Sequence, residues 1–68
     1  MLGLVLVTHA PLGDAIAQCV KHVMGSLPEG LAVVDVPGDE DIEQSVQRIQ
    51  AAARQVHAGE GVVFLTDL

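Results

Sequence analysis

A histidine at position 9 follows directly on the aliphatic run LGLVLVT, and an aspartate at position 67 follows directly on GVVFLT. Together these residue types support one kind of chemistry. A carboxylate held against one nitrogen of an imidazole fixes the ring's tautomer and leaves the lone pair of the other nitrogen pointing outward. It also stabilises the positive charge that develops on the ring when that nitrogen attacks an electrophile, the orienting logic of catalytic triads. His9 and Asp67 lie at opposite ends of the chain, so the pair exists only if the fold brings the ends of the two apolar runs together.

Those runs read as strands. Leu2 to Thr8, Leu31 to Val36 and Gly61 to Thr66 are rich in Val and Leu, and the first and third lack polar alternation, as parallel strands covered on both faces do. Between them lie two helical patterns. Leu12, Ala15, Ile16, Cys19, Val20 and Val23 recur at three- and four-residue intervals, with Pro11 suited to the first turn and Gly25 to the stop. Ile42, Val46, Ile49, Ala53 and Val56 make a second stripe, announced by Pro37 and Gly38, with Asp39 as the expected N-cap and Gly59 beyond its end. The order is βαβαβ. Crossovers of this kind build a parallel sheet. The expected fold class is therefore α/β, three-layer, with strand order 2-1-3 and a helix on each face. Strands 1 and 3 are then neighbours and their carboxyl ends form a topological switch point, where open α/β sheets bind ligands. Neighbouring strands lie roughly 4.8 Å apart, so His9 and Asp67 come within hydrogen-bond reach.

Composition narrows the function. The 68 residues carry nine acidic and three basic side chains, a formal net charge of −6. Lys21, Arg48 and Arg54 are scattered, which argues against a nucleic-acid partner, since phosphate backbones are bound by clustered Lys and Arg. No apolar run reaches the roughly 18–20 residues that cross a bilayer, and Met1 to Val7 lacks the basic start of a secretory signal. The single Cys19 forms no internal disulfide and no multi-thiolate metal site, which fits a reducing cytosol.

The start of the first helix presents backbone N–H groups and the positive end of a dipole, a cradle for phosphate in which Leu12 and Gly13 keep their donors. The stretch THAPLG matches neither a dinucleotide fingerprint nor a nucleotide-binding phosphate loop. His22 and His57 read as solvated residues, and Cys19 as a buried, inert thiol on an apolar face. Asp39, Glu40, Asp41 and Glu43 suit the start of the second helix, and as a rim they could steer a basic partner.

LVLVTHAPLGDAI, the strand LAVVDVP and the ending GVVFLTDL resemble the IIA domain of the mannose family of the bacterial phosphoenolpyruvate-dependent sugar phosphotransferase system. Members begin with a hydrophobic strand running into T-H-G or S-H-G, and their third strand ends in V/T-D-L or V-D-M. Ala10 stands here where the family usually has glycine. The resemblance implies that His9 is phosphorylated, that Asp67 orients it, and that Thr8 helps hold the phosphate or the ring. The implied reaction carries a phosphoryl group from HPr to His9 and on to a IIB domain or subunit, in the cytoplasm, with no metal and no nucleotide cofactor. It further implies a homodimer, and contact with the membrane only through transporter subunits. Family members run to roughly twice this length, a typical domain size, so residues 1–68 are expected to be the N-terminal portion of a single IIA-type domain, a fragment of a larger doubly wound sheet.

Two other readings compete. A non-enzymatic α/β regulatory or anion-binding module would use the same switch point without chemistry at His9. A hydrolase built on the His–Asp pair lacks a nucleophile, since Ser26 and Ser45 fall away from the sheet's carboxyl edge.

Overall fold

Val5 and Val7 are 0% and 4% exposed, and the rest of the architecture follows from how the chain covers them. The computed structural model describes residues 2–67. Its elements run β1 (Gly3–His9), α1 (Leu12–Met24), β2 (Leu31–Val36), α2 (Ile42–Val56) and β3 (Val62–Thr66). Met1 and Leu68, the last residue of GVVFLTDL, lie outside the described residues. The three strands form one parallel sheet of order β2-β1-β3. The expected α/β, three-layer, 2-1-3 arrangement is what the chain adopts.

Strand parity divides the two faces. Val5, Val7, Ala32 and Val34 join Ala52 and Val56 of α2 in the core, with Val36, Ile49, Ala53 and Val62 packed around them. Fully burying a valine side chain contributes about 1.5–3 kcal/mol, and the four buried valines Val5, Val7, Val34 and Val56 all belong to this cluster, which makes the α2 face the main source of stability. On the other face α1 seats its small residues, Gly13 and Ala17, against the sheet.

That choice reverses part of the expected helix pattern. Leu12 is 43% exposed, Ile16 37% and Val23 82%, and Cys19 is exposed as well. Cys19 is therefore not the buried thiol that amphipathic spacing predicts. The stripe of larger apolar residues points away from the sheet, because a helix that approaches closely must do so on its smallest side chains. The end of α1 is as expected: Gly25, at φ 86°, adopts a left-handed conformation and its N–H donates to Lys21 O at 2.7 Å.

The start of α2 is shifted. Asp41, rather than Asp39, caps the helix, with its side chain accepting from Glu43 N–H at 3.4 Å. Glu40 N–H donates to Pro37 O, folding residues 37–40 into a turn that contains Asp39 and delays helical geometry by two residues.

Candidate functional site

The carboxyl ends of β1 and β3 meet as the 2-1-3 order requires. β1 runs one residue further than its apolar pattern, so His9 is its last residue, and Asp67 directly follows β3. His9 N–H donates to Asp67 Oδ1 at 3.0 Å, and His9 Nδ1 lies 3.2 Å from Asp67 Oδ2. One carboxylate thus grips both the backbone and the ring. Burial pushes the Asp67 carboxyl up, but the His9 ring and N–H outweigh it and hold the group below its ordinary value. The His9 side chain is 64% exposed. With Nδ1 facing the carboxylate, Nε2 is the ring nitrogen that Asp67 leaves unengaged.

A second carboxylate, which the sequence reading had not singled out, works on the other side of β1. Asp35 is paired with Thr8 in the β1–β2 register. Its Oδ1 accepts from the Thr8 hydroxyl at 2.7 Å and from Gly13 N–H at 2.8 Å, while Oδ2 accepts from Asp14 N–H at 2.8 Å. Burial again raises this carboxyl, and the Thr8 hydroxyl, the Asp14 and Gly13 amides and the Arg48 charge together bring it below its ordinary value. A Cβ at Gly13 would run into Asp35 Oδ1, Thr8 Oγ1 and Val33 Cγ1, so glycine is what lets the strand and helix close around the carboxylate.

These bonds revise the expected phosphate cradle. The Gly13 amide and the hydroxyl of Thr8, which is 2% exposed, are committed to Asp35 rather than turned to an incoming anion. The chain's own carboxylate takes the position at the α1 N-terminus that the pattern assigned to phosphate. Leu12, the first residue of α1, precedes the clamped Gly13 and Asp14 amides in the chain. The signals for Asp35 were a charged residue inside the aliphatic strand LAVVDVP and a glycine at the second position of a helix.

The remaining candidates fall elsewhere. His22 and His57 are exposed, and His57 Nδ1 accepts from Gly59 N–H at 3.4 Å just beyond α2. Ser45 donates to Glu40 Oε1 at 2.6 Å, and Arg48 Nη1 reaches both Glu40 oxygens at 2.9 Å. Ser45 and Arg48 together lower the Glu40 carboxyl, the serine hydroxyl most, against a smaller rise from burial. Of the acidic rim, Glu40 is thus tied inward. Among the described residues no group of three His, Cys, Asp or Glu side chains is arranged to hold a metal ion. No helix among them is long and apolar enough to cross a membrane.

The fold and this pair define a class: open parallel α/β domains that hold an oriented, accessible histidine at the carboxyl edge of the sheet. Within that class, a family model described as "PTS system fructose IIA component" matches residues 3–68, and the chain belongs to that family. This is the family that THAPLG and GVVFLTDL resemble, and it makes the protein a IIA component of the sugar phosphotransferase system. No curated protein matches the sequence.

Proposed function

We propose that the protein is a phosphocarrier that accepts a phosphoryl group from phospho-HPr on Nε2 of His9 and passes it to a IIB domain or subunit. The observation that carries this reading is the two-point contact of Asp67 with His9. In the forward step the N–P bond of phospho-HPr breaks and a bond from His9 Nε2 to phosphorus forms. The imidazole of HPr leaves with the electron pair of the broken bond. The Nδ1 proton of His9 stays against Asp67, whose charge offsets the positive charge gained by the ring. Transfer to IIB is the same exchange in reverse.

Positioning and charge are most of what such an exchange asks of a protein, because the phosphoryl group arrives already activated on nitrogen. An exposed ring on an open lip suits delivery by another protein. The Leu12 amide, ahead of the Asp35 clamp, is the donor we assign to the transferred group at the start of α1. The exchange runs in the cytoplasm with soluble partners. We extend the proposal to a homodimer that covers β3, where Val63, Phe64 and Leu65 are 43%, 47% and 52% exposed.

An anion-binding module without chemistry is the weaker reading, since it would give the grip of Asp67 on the His9 ring no role. Incubation with phosphoenolpyruvate, enzyme I and HPr tests the carrier. Acid-labile, base-stable label is expected on the protein and is expected to vanish in His9→Ala. Label that persists in that variant on His22 or His57 would overturn the site.

A further inference from the structure

The connection between β1 and α1 is held from both sides. Asp67 reaches it from the end of β3 and takes the His9 amide and ring. Asp35 reaches it from β2 and takes Thr8 at its entry and Gly13 and Asp14 at its exit. Between those two anchors lie only residues 9–12, and Ala10 N–H adds a bond to Val36 O at 3.1 Å, next to Asp35 in the chain.

The clamp does more than close a helix end. A local cap would come from the residue at the helix start, yet Pro11 holds that place and makes no side-chain cap bond. The cap comes instead from a strand 21 and 22 residues away, and the same carboxylate also binds a strand residue at a separation of 27. Three elements are therefore referenced to one group, and His9 is the first residue beyond it. Successive strand side chains alternate, so fixing Thr8 toward Asp35 turns His9 the opposite way. Two otherwise costly residues serve the arrangement: a buried hydroxyl in an aliphatic strand, and a helical glycine with no room for a Cβ.

We infer that Asp35 is a positioning residue for His9: through Thr8, Gly13 and Asp14 it sets the backbone of residues 9–12 so that His9 meets Asp67 with both its N–H and its Nδ1. The kinetic consequence rests on His9 being the phosphoryl acceptor; the geometric one does not.

The test compares Thr8→Val, Thr8→Ser and Asp35→Asn in the full chain, read by nitrogen NMR of the imidazoles and by label transfer from phospho-HPr. Thr8→Val removes the hydroxyl but fills the same space and leaves the Gly13 and Asp14 bonds to Asp35. In Thr8→Val and Asp35→Asn the His9 ring is expected to move from a single Nδ1-protonated form toward the average of a mobile imidazole. His22 and His57 are expected to stay unchanged, and label transfer to fall about tenfold or more, as when an orienting partner is lost. Thr8→Ser keeps the hydroxyl and is expected to match the parent in both readouts. A folded Thr8→Val with parental His9 resonances and transfer rate overturns the inference. So does a Thr8→Ser as impaired as Thr8→Val, since packing would then be the cause. If Asp35→Asn does not fold, the two Thr8 variants decide alone. A parent protein that takes no label while its His9 ring still responds would sink the carrier reading and leave the positioning role standing.

Discussion

Asp67 meets His9 twice, at the backbone N–H (3.0 Å) and at ring Nδ1 (3.2 Å), across the boundary between the ends of β3 and β1. The double contact separates two substitutions that look alike. Asp67→Asn keeps an oxygen for the His9 amide but turns an NH2 group toward Nδ1. The ring then accepts there and carries its proton on Nε2, the nitrogen that attacks phosphorus in the proposed transfer. Asp67→Ala leaves the ring free to sample both tautomers. Single-turnover labelling from phospho-HPr is expected to fall in the order parent, Asp67→Ala, Asp67→Asn, with the last slower by at least about 100-fold. Equal rates in the two variants would show that the tautomer is not what Asp67 controls.

Asp35 and Asp67, two of the three lowered carboxylates, contribute to the acid limb of stability alongside Glu40. Asp35 and Asp67 both titrate below the ordinary value of 3.8 in the folded protein. A folded-state pKa below the unfolded one means that the unfolded chain binds protons first as pH falls. The stabilisation is complete at pH values above 3.8 and is lost as pH falls through the lowered folded values. Urea midpoints measured between neutral and acid pH should show this fall in the parent. Asp35→Asn should start less stable at neutral pH and lose less on acidification. An identical acid limb in parent and variant would mean that Asp35 is not ionised in its clamp.

The strands and their order were legible because aliphatic runs with little polar alternation require cover on both faces, and βαβαβ with short connections leaves few ways to provide it. His9 and Asp67 could be paired from the same reading, since each stands at the carboxyl end of one of two neighbouring strands. The Asp35 clamp was harder to see. It depends on Thr8 and Asp35 sharing a face and on α1 arriving at the right height, both properties of the assembled register. The face of α1 was misjudged for a related reason: hydrophobic spacing marks a stripe, but closest approach to a sheet is decided by side-chain size. Gly13 and Ala17 won over Leu12, Ile16 and Cys19. At α2 the acidic cluster offered several caps, and the turn at residues 37–40 selected Asp41.

Gly13→Ala sets two effects against each other. Helix propensity alone favours alanine by about 0.8–1.0 kcal/mol. The added methyl, however, would collide with Asp35, Thr8 and Val33, and forcing a group into a filled site costs about 1–3 kcal/mol. The clash is the larger effect, so the variant is expected to have a lower urea midpoint than the parent. Because relief of the clash requires Asp35 to move, the variant should also transfer label more slowly. A stability gain would mean that the clamp opens at little cost.

Cys19 offers a check on the placement of α1 that is independent of the site. An apolar stripe turned to the sheet would hide the thiol, whereas a helix seated on Gly13 and Ala17 leaves it in solvent. The folded protein is therefore expected to react with a maleimide at a rate within a few-fold of that in urea. Cys19→Ser should change stability by no more than about 0.5 kcal/mol, as exposed substitutions do. Strong protection of the thiol, or a serine variant destabilised by about 2 kcal/mol or more as in a packed core, would require α1 to be rotated. Rotation would carry the Gly13 and Asp14 amides away from Asp35, and the frame that holds His9 would go with them.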